Sequence, residues 1–139
     1  MTYSLRSSLA IRWAAWESSG FAREAGEIVK AARTFKGHSR PGMTADKDQV
    51  MRCLRDPQWL LVDSRSAERF RGDVEPIDPV AGHIPGAINH FYGRNLTDSG
   101  QFQAPAELHR MWSALLGDRT AEHVIVYCGS GVTSCTNLL

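Results

Sequence analysis

Cysteine is scarce in this chain, and its placement rules out the usual structural uses. The three cysteines, Cys53, Cys128 and Cys135, form no Cys-x-x-Cys pair and are odd in number. That argues against a disulfide scaffold and against a zinc knuckle. His38, His90, His109 and His123 are scattered without ligand spacing, so no metal site is expected. No apolar run is long enough to cross a bilayer. Arg6 and Arg12 interrupt the one apolar stretch near the start, so no secretory signal is expected either. An excess of one charge is also missing. The net charge is +1, which gives no case for binding nucleic acid or a membrane surface. Repeats and low-complexity tracts are absent. A cytoplasmic globular protein is therefore expected, and 139 residues with 42% hydrophobic content suffice for one packed core.

The patterning that is present alternates between helical and extended. Phe21, Ala25, Ile28, Val29 and Ala32 fall at helical spacing, so the sequence predicts an amphipathic helix over about 20–34. Trp13 and Trp16 before it are expected to pack against something. Residues 36–42 read as a linker or loop. Thr44 or Asp46 can cap a helix to about Leu54, with Gln49 three residues after Asp46. Trp59 to Val62 reads as a strand, and Ser66 opens a short helix that Gly72 closes. Asp73 to His83 contains Pro76 and Pro79 and must be a loop. Ala87 to Asn89 reads as a short strand. Pro105 starts a helix that runs to about Leu116 and ends at Gly117. His123 to Tyr127 is an apolar strand leading into Cys128. Strands alternating with helices predict an α/β fold with a parallel sheet and a site at the carboxyl end of a strand.

The segment after that last strand carries the chemistry. Cys128-Gly129-Ser130-Gly131-Val132-Thr133 is a cysteine followed by a Gly-rich turn. Two glycines within four residues let the main chain curl and aim its N–H groups inward. Such a cup stabilises a thiolate, and the thiolate is the nucleophile. A helix starting near Val132 would add to this through its N-terminus. The plain alternative is a buried structural cysteine in a turn. A cysteine phosphatase would need an arginine at the sixth position after the cysteine to clamp phosphoryl oxygens. Ser134 stands there, and nothing cationic follows Cys128, so the cup suits a smaller or softer anion such as a persulfide sulfur.

Three motifs in register resemble the rhodanese-like sulfurtransferases. They are Leu60-Leu61-Val62-Asp63-Ser64-Arg65, then Glu68-Arg69-Phe70-Arg71-Gly72 running on through Gly82-His83-Ile84-Pro85-Gly86-Ala87, then the Cys128 loop. The loop is similar to the mercaptopyruvate form, Cys-Gly-Ser-Gly, more than to the thiosulfate form. The likeness runs from about Gly37 to Leu139, with residues 1–36 as a helical segment, a remnant of a preceding domain or a linker. It implies a rhodanese-like parallel sheet flanked by helices. It implies that Cys128 is catalytic, that Arg69 clamps the donor anion, and that Gly129, Ser130, Gly131, Val132 and Thr133 hold it through their N–H groups. Taken without the resemblance, Arg65, Arg69 and Arg71 would each read more readily as solvated arginines. Asp63 and Arg65 are expected to be structural, with Arg65 paired to a carboxylate. His83 is expected to be a hydrogen-bonded loop histidine rather than a base. The resemblance gives Ser130 a part in moving a proton; the residue alone reads as a hydroxyl that satisfies the turn.

The resemblance also marks departures. Residues Glu75-Pro76-Ile77-Asp78-Pro79 form a shorter, acidic loop where mercaptopyruvate enzymes often carry a further arginine. The family's domain continues through a final strand and helix that this sequence does not contain, so a C-terminally truncated domain is expected, prone to self-association through an incomplete sheet. The implied reaction moves a sulfane sulfur from 3-mercaptopyruvate or thiosulfate to a thiol or cyanide through a Cys128 persulfide, with no cofactor required. The alternative is a catalytically impaired rhodanese-fold interaction or regulatory module. A redox-sensing pair of Cys128 and Cys135 is weaker, because their position across a helix start would point the thiols apart.

Overall fold

Four buried residues in a row, Leu60–Asp63, set the centre of the molecule as strand β1. A strand buried on both faces is what a parallel sheet covered by helices requires. The computed structural model describes residues 13–29, 31–38 and 42–138. The chain divides into two units, Met1–Thr44 and Ala45–Leu139.

In the second unit, helix α2 spans Lys47–Cys53 and is capped by Asp46, whose carboxylate accepts the Gln49 N–H at 2.7 Å. Of the two expected caps, Asp46 is therefore the one used. After β1, helix α3 spans Ala67–Arg71 and ends at Gly72 in the left-handed region, with φ of 84°. A Cβ there would also lie 3.2 Å from the backbone nitrogen of Gly82. Gly72 thus lets the 73–82 loop fold back against the helix end. Strand β2 is Ile88–Asn89, helix α4 is Pro105–Leu116 with Pro105 in its first turn, and strand β3 is Val124–Tyr127. Short 3₁₀ turns cover Tyr92–Asn95, Ala121–His123 and Thr133–Asn137. The helix expected to open after the Cys128 loop is this last 3₁₀ turn.

The sheet order among the described residues is β2-β1-β3, all parallel. Val62 pairs with Ile88 and with Val126, and Asp63 pairs with Asn89 and with Tyr127. The carboxyl ends of all three strands therefore lie level, and Cys128 follows directly from one of them. Leu61, Cys53 and Ala87 form the buried cluster beneath that end, with Phe70 and Tyr127 packed against it. Burying a side chain the size of Leu61 contributes about 1.5–3 kcal/mol. This is the expected α/β architecture.

The first unit departs from expectation. Residues 21–29 and 31–38 form no helix; helix α1 is Trp13–Ser18 instead. Gly20 and Gly26 adopt φ of 69° and 95°, which breaks a right-handed helix. The apolar stripe also stays uncovered, with Val29 at 88% and Ile28 at 50% exposed. A helix of that length is marginal without a surface for its apolar face. Trp16 packs locally, its ring 4.6 Å from that of Phe21 and its Nε1 donating to the Ala22 carbonyl at 3.3 Å. The packing of Trp13 and residues 39–41 of the expected linker lie outside the described residues. No described helix is long and apolar enough to cross a membrane.

Candidate active site

Cys128 sits where β3 gives way to the Gly-rich turn, and the turn closes back on its sulfur. Gly131 adopts φ of 81°, and its N–H donates to Cys128 Sγ at 3.0 Å. The left-handed conformation is what turns that N–H inward. The Cys128 thiol is brought down to about 7. Partial burial works against this and pushes the thiol up; the Thr133 hydroxyl, the N–H and hydroxyl of Ser134 and the Gly131 N–H outweigh it by donating to the thiolate. A hydroxyl has one proton, so Ser134 serves the sulfur only when it turns from the Gly131 carbonyl, to which it donates at 2.9 Å. Ser130 Oγ accepts the Val132 N–H at 3.4 Å, the local turn bond that the residue taken alone suggests. Cys135 is exposed and its thiol donates to the Gly131 carbonyl at 3.2 Å, while Cys53 is buried in the core.

Two arginines, Arg65 and Arg69, share three carboxylates, and Arg69 stands beside this loop. Arg65 is buried, and Asp63 receives its Nη2 at 2.7 Å, its Nε at 3.1 Å and its backbone N–H at 2.9 Å. Those hydrogen bonds raise the guanidinium above its ordinary value despite the opposing cost of burial. Arg65 Nη2 also donates to the Gly82 carbonyl at 2.6 Å, which ties the 73–82 loop to β1. The expected pairing of Arg65 with a carboxylate is thus observed. Arg69 lies beside the loop: its Nη1 and Nη2 are each 3.7 Å from where a Cβ on Gly129 would stand. Glycine at 129 leaves the guanidinium and the loop backbone facing each other. Arg69 is also engaged. Its Nη2 donates to Glu75 Oε1 at 2.6 Å and to Asp78 Oδ2 at 3.0 Å, and its Nε to Glu75 Oε2 at 3.2 Å. The Arg69 hydrogen bond, aided by the N–H groups of Asp78 and Ile77, holds the Glu75 carboxyl at about 2.

The structure brings Cys128, the loop residues 129–133 and Arg69 together. His83 is elsewhere in its bonding: its ring stacks on Phe70 at 3.7 Å and its Nδ1 donates to the Phe70 carbonyl at 2.6 Å. A second set of groups, unmarked by any motif, fixes the far end of the loop. Asn95, fully buried, accepts from or donates to His90 Nε2, the Thr136 carbonyl and Asn137 Oδ1 at 3.0, 3.1 and 2.8 Å. Asn137 Nδ2 in turn donates to Ser64 Oγ at 2.8 Å and to the His90 carbonyl at 3.1 Å. Burial keeps the His90 imidazole below its ordinary value, against the Asn95 hydrogen bond. His90, Asn95 and Asn137, isolated in the sequence, were the available signals, and none indicates a partner by itself. Among the described residues no group of three or more His, Cys, Asp or Glu side chains is placed to hold a metal ion.

Known proteins resemble this chain in sequence and fold. A probable 3-mercaptopyruvate sulfurtransferase of Pseudomonas aeruginosa is 44% identical over 125 residues, covering 90% of this chain and 44% of the relative. A putative thiosulfate sulfurtransferase, SseB, of Mycobacterium tuberculosis is 54% identical over 77 residues, 53% of this chain and 26% of its own. The crystal structure of the 3-mercaptopyruvate sulfurtransferase SseA from Escherichia coli superposes with a TM-score of 0.72 at 27% identity, covering 91% of this chain and 47% of that one. The chain therefore spans less than half the length of these relatives. The family model described as the rhodanese-like domain matches residues 46–139. With the parallel sheet, the cysteine at the end of β3 and the loop that closes on its sulfur all in place, the chain belongs to the rhodanese-like domain family.

Proposed function

We propose that this domain transfers sulfane sulfur through a persulfide on Cys128. What supports the reading most is a thiol at about 7 inside a loop whose donors converge on the sulfur, with the Arg69 guanidinium across from Gly129. The Cys128 thiolate attacks the outer sulfur of an anionic donor. With thiosulfate, a new S–S bond forms to Cys128, the donor's own S–S bond breaks, and sulfite leaves with the bonding pair. With 3-mercaptopyruvate the C–S bond breaks instead, and the carbon takes up a proton to give pyruvate. The loop N–H groups of residues 129–133 and Arg69 hold the donor's negative charge. A thiolate or cyanide then attacks the terminal persulfide sulfur and carries it off, and the Cys128 thiolate leaves with its electron pair. The donor reaches the site as a free small molecule, and the relatives' names put 3-mercaptopyruvate and thiosulfate first among candidates.

Intact mass spectrometry before and after incubation with thiosulfate or 3-mercaptopyruvate tests this. The expected result is a gain of one sulfur atom on the peptide containing Cys128, removed by dithiothreitol and absent in Cys128→Ser. No gain with either donor, from a folded protein whose Cys128 is alkylated by iodoacetamide, would favour a rhodanese-fold interaction module over an enzyme.

A further inference from the structure

The two carboxylates on Arg69 are not equivalent. Glu75 is a fixed part of the loop. Its side chain is 5% exposed, and its oxygens take Arg69, Arg65 Nη1 at 3.2 Å, and the N–H groups of Ile77 and Asp78 at 3.1 and 3.0 Å. Asp78 is 42% exposed, and its carboxylate makes one hydrogen bond among the described residues, from Arg69 Nη2. Its other charged neighbour is Arg65 Nη1 at 3.7 Å. The charges also do not balance. Asp63 matches Arg65, Glu75 matches Arg69, and Asp78 adds a third carboxylate to two guanidiniums.

We propose that Asp78 is a specificity-determining residue of the Cys128 site, a tethered carboxylate that occupies Arg69 in the place of the donor's anion and must leave it before an anionic donor binds. The inference rests on the reading of Arg69 as the donor clamp. The position supports it. Arg69 Nη2, the nitrogen that holds Asp78, lies 3.7 Å from the Cβ position of Gly129, next to the nucleophile. A carboxylate on that nitrogen presents the charge and geometry that a donor carboxylate or thiosulfonate would bring. Asp78 is the more exposed partner and the less bonded one, so its displacement leaves the other bonds of Glu75 in place. A neutral ligand for Cys128 does not need Arg69 and is indifferent to Asp78.

The test uses the full 139-residue chain and two alkylating probes of similar size, anionic iodoacetate and neutral iodoacetamide, with the rate at Cys128 followed by mass spectrometry. Asp78→Asn and Asp78→Ala should each raise the iodoacetate-to-iodoacetamide rate ratio about three- to tenfold, as expected from removing one partly exposed charge at contact distance. Asp78→Glu, which keeps the charge, should retain the wild-type ratio. Asp73→Asn removes a carboxylate paired to Arg71 at 2.8 Å on the exposed surface and should leave both rates unchanged. The proposal is overturned if Asp78→Asn and Asp78→Ala leave the ratio where Asp73→Asn leaves it, or if they raise both rates equally. Thiosulfate-dependent mass gain is scored on the same samples. Its absence everywhere would sink sulfur transfer while the ratio still judges Asp78, and a mass gain with an unchanged ratio would overturn the Asp78 assignment alone.

Discussion

Thr133→Val should move the Cys128 thiol back toward ordinary cysteine. The substitution keeps the branched shape and removes the hydroxyl, the leading group among those that lower the thiol to about 7 against the upward push of burial. A hydrogen bond to a charged acceptor is worth about 1.5–3 kcal/mol, and each pKa unit corresponds to about 1.4 kcal/mol. Ser134 and the Gly131 N–H remain and take up part of the loss. The expected shift is therefore near the lower bound, about one unit. At pH 7 the thiolate fraction would fall from about one-half to about one-tenth, and alkylation would slow about fivefold. Iodoacetamide is the right probe because, being neutral, it does not call on Arg69. Rates measured from pH 5 to pH 10 should give a midpoint of about 7 in the wild type and about one unit higher in the variant, with the two curves meeting at the alkaline end. The same shift has a stability sign. A thiol lower than its unfolded value contributes stability above the unfolded pKa, and that contribution is lost as pH falls through about 7. A Thr133→Val midpoint still at about 7, in a folded protein, would refute the assignment of the hydroxyl as a thiolate donor.

Asp63→Ala should cost about 3–5 kcal/mol, because it strips the main partner from a buried guanidinium; a urea unfolding curve showing a loss under about 1 kcal/mol would mean that Glu75 and the Gly82 carbonyl suffice for Arg65. Arg69→Ala should weaken use of an anionic donor about tenfold or more, from loss of a charged hydrogen-bonding partner, while iodoacetamide labelling of Cys128 stays nearly unchanged. Normal kcat/KM on thiosulfate would place the clamp on another cation. At neutral pH, site-resolved alkylation should label Cys128 first, the exposed Cys135 more slowly and the buried Cys53 last; faster labelling of Cys135 would show that the loop donors do not activate Cys128. Acid should release the 73–82 loop late, because the Glu75 carboxyl is held at about 2 by the Arg69 hydrogen bond and that pairing is lost as pH falls through this value. Loss of the Arg65 and Arg69 pairing between pH 4 and pH 5, followed by proteolysis of the loop, would contradict it.

What the sequence makes legible here is local. Asp46 and Gln49 form a cap across three positions, Gly72 ends a helix one residue away, and Gly131 aims its own N–H at a sulfur three residues back. Each is decided by backbone chemistry within one turn. The Cys128 loop was readable for the same reason. The helix expected over 20–34 failed because periodicity states which face is apolar and not whether any surface covers it. Arg69 shows the other limit. Its residue type indicates an anion, but the anions it holds in this structure are Glu75 and Asp78, brought back by the fold of the 73–82 loop. Tyr127 is a further case: within an apolar strand it reads as core, yet its hydroxyl accepts the Ile84 N–H at 3.2 Å, and burial, partly countered by that bond, pushes the phenol up to about 12.

Ser64 explains how a short Gly-rich turn can hold a thiolate site at all. Its backbone N–H donates to the Tyr127 carbonyl at 2.8 Å, immediately before Cys128, and its Oγ accepts the Asn137 Nδ2 at 2.8 Å, beyond Cys135. One fully buried residue at the end of β1 therefore fastens both ends of the Cys128 loop. Between those anchors the loop still needs freedom to curl, and Gly131 provides it through a conformation that other residues rarely adopt. Fixed ends and a left-handed glycine between them let several weak donors point at one sulfur. The same residue links the loop to the arginine pair. Ser64 lies between Asp63, which holds Arg65, and Arg65 itself, and Asn89 Nδ2 donates to the carbonyls of Asp63 and Arg65 at 3.0 and 2.9 Å. The Cys128 loop and the Arg65 guanidinium thus share one fixed point, the carboxyl end of β1. This anchors the Cys128 loop to the most buried strand of the sheet, where a displacement costs the most core packing.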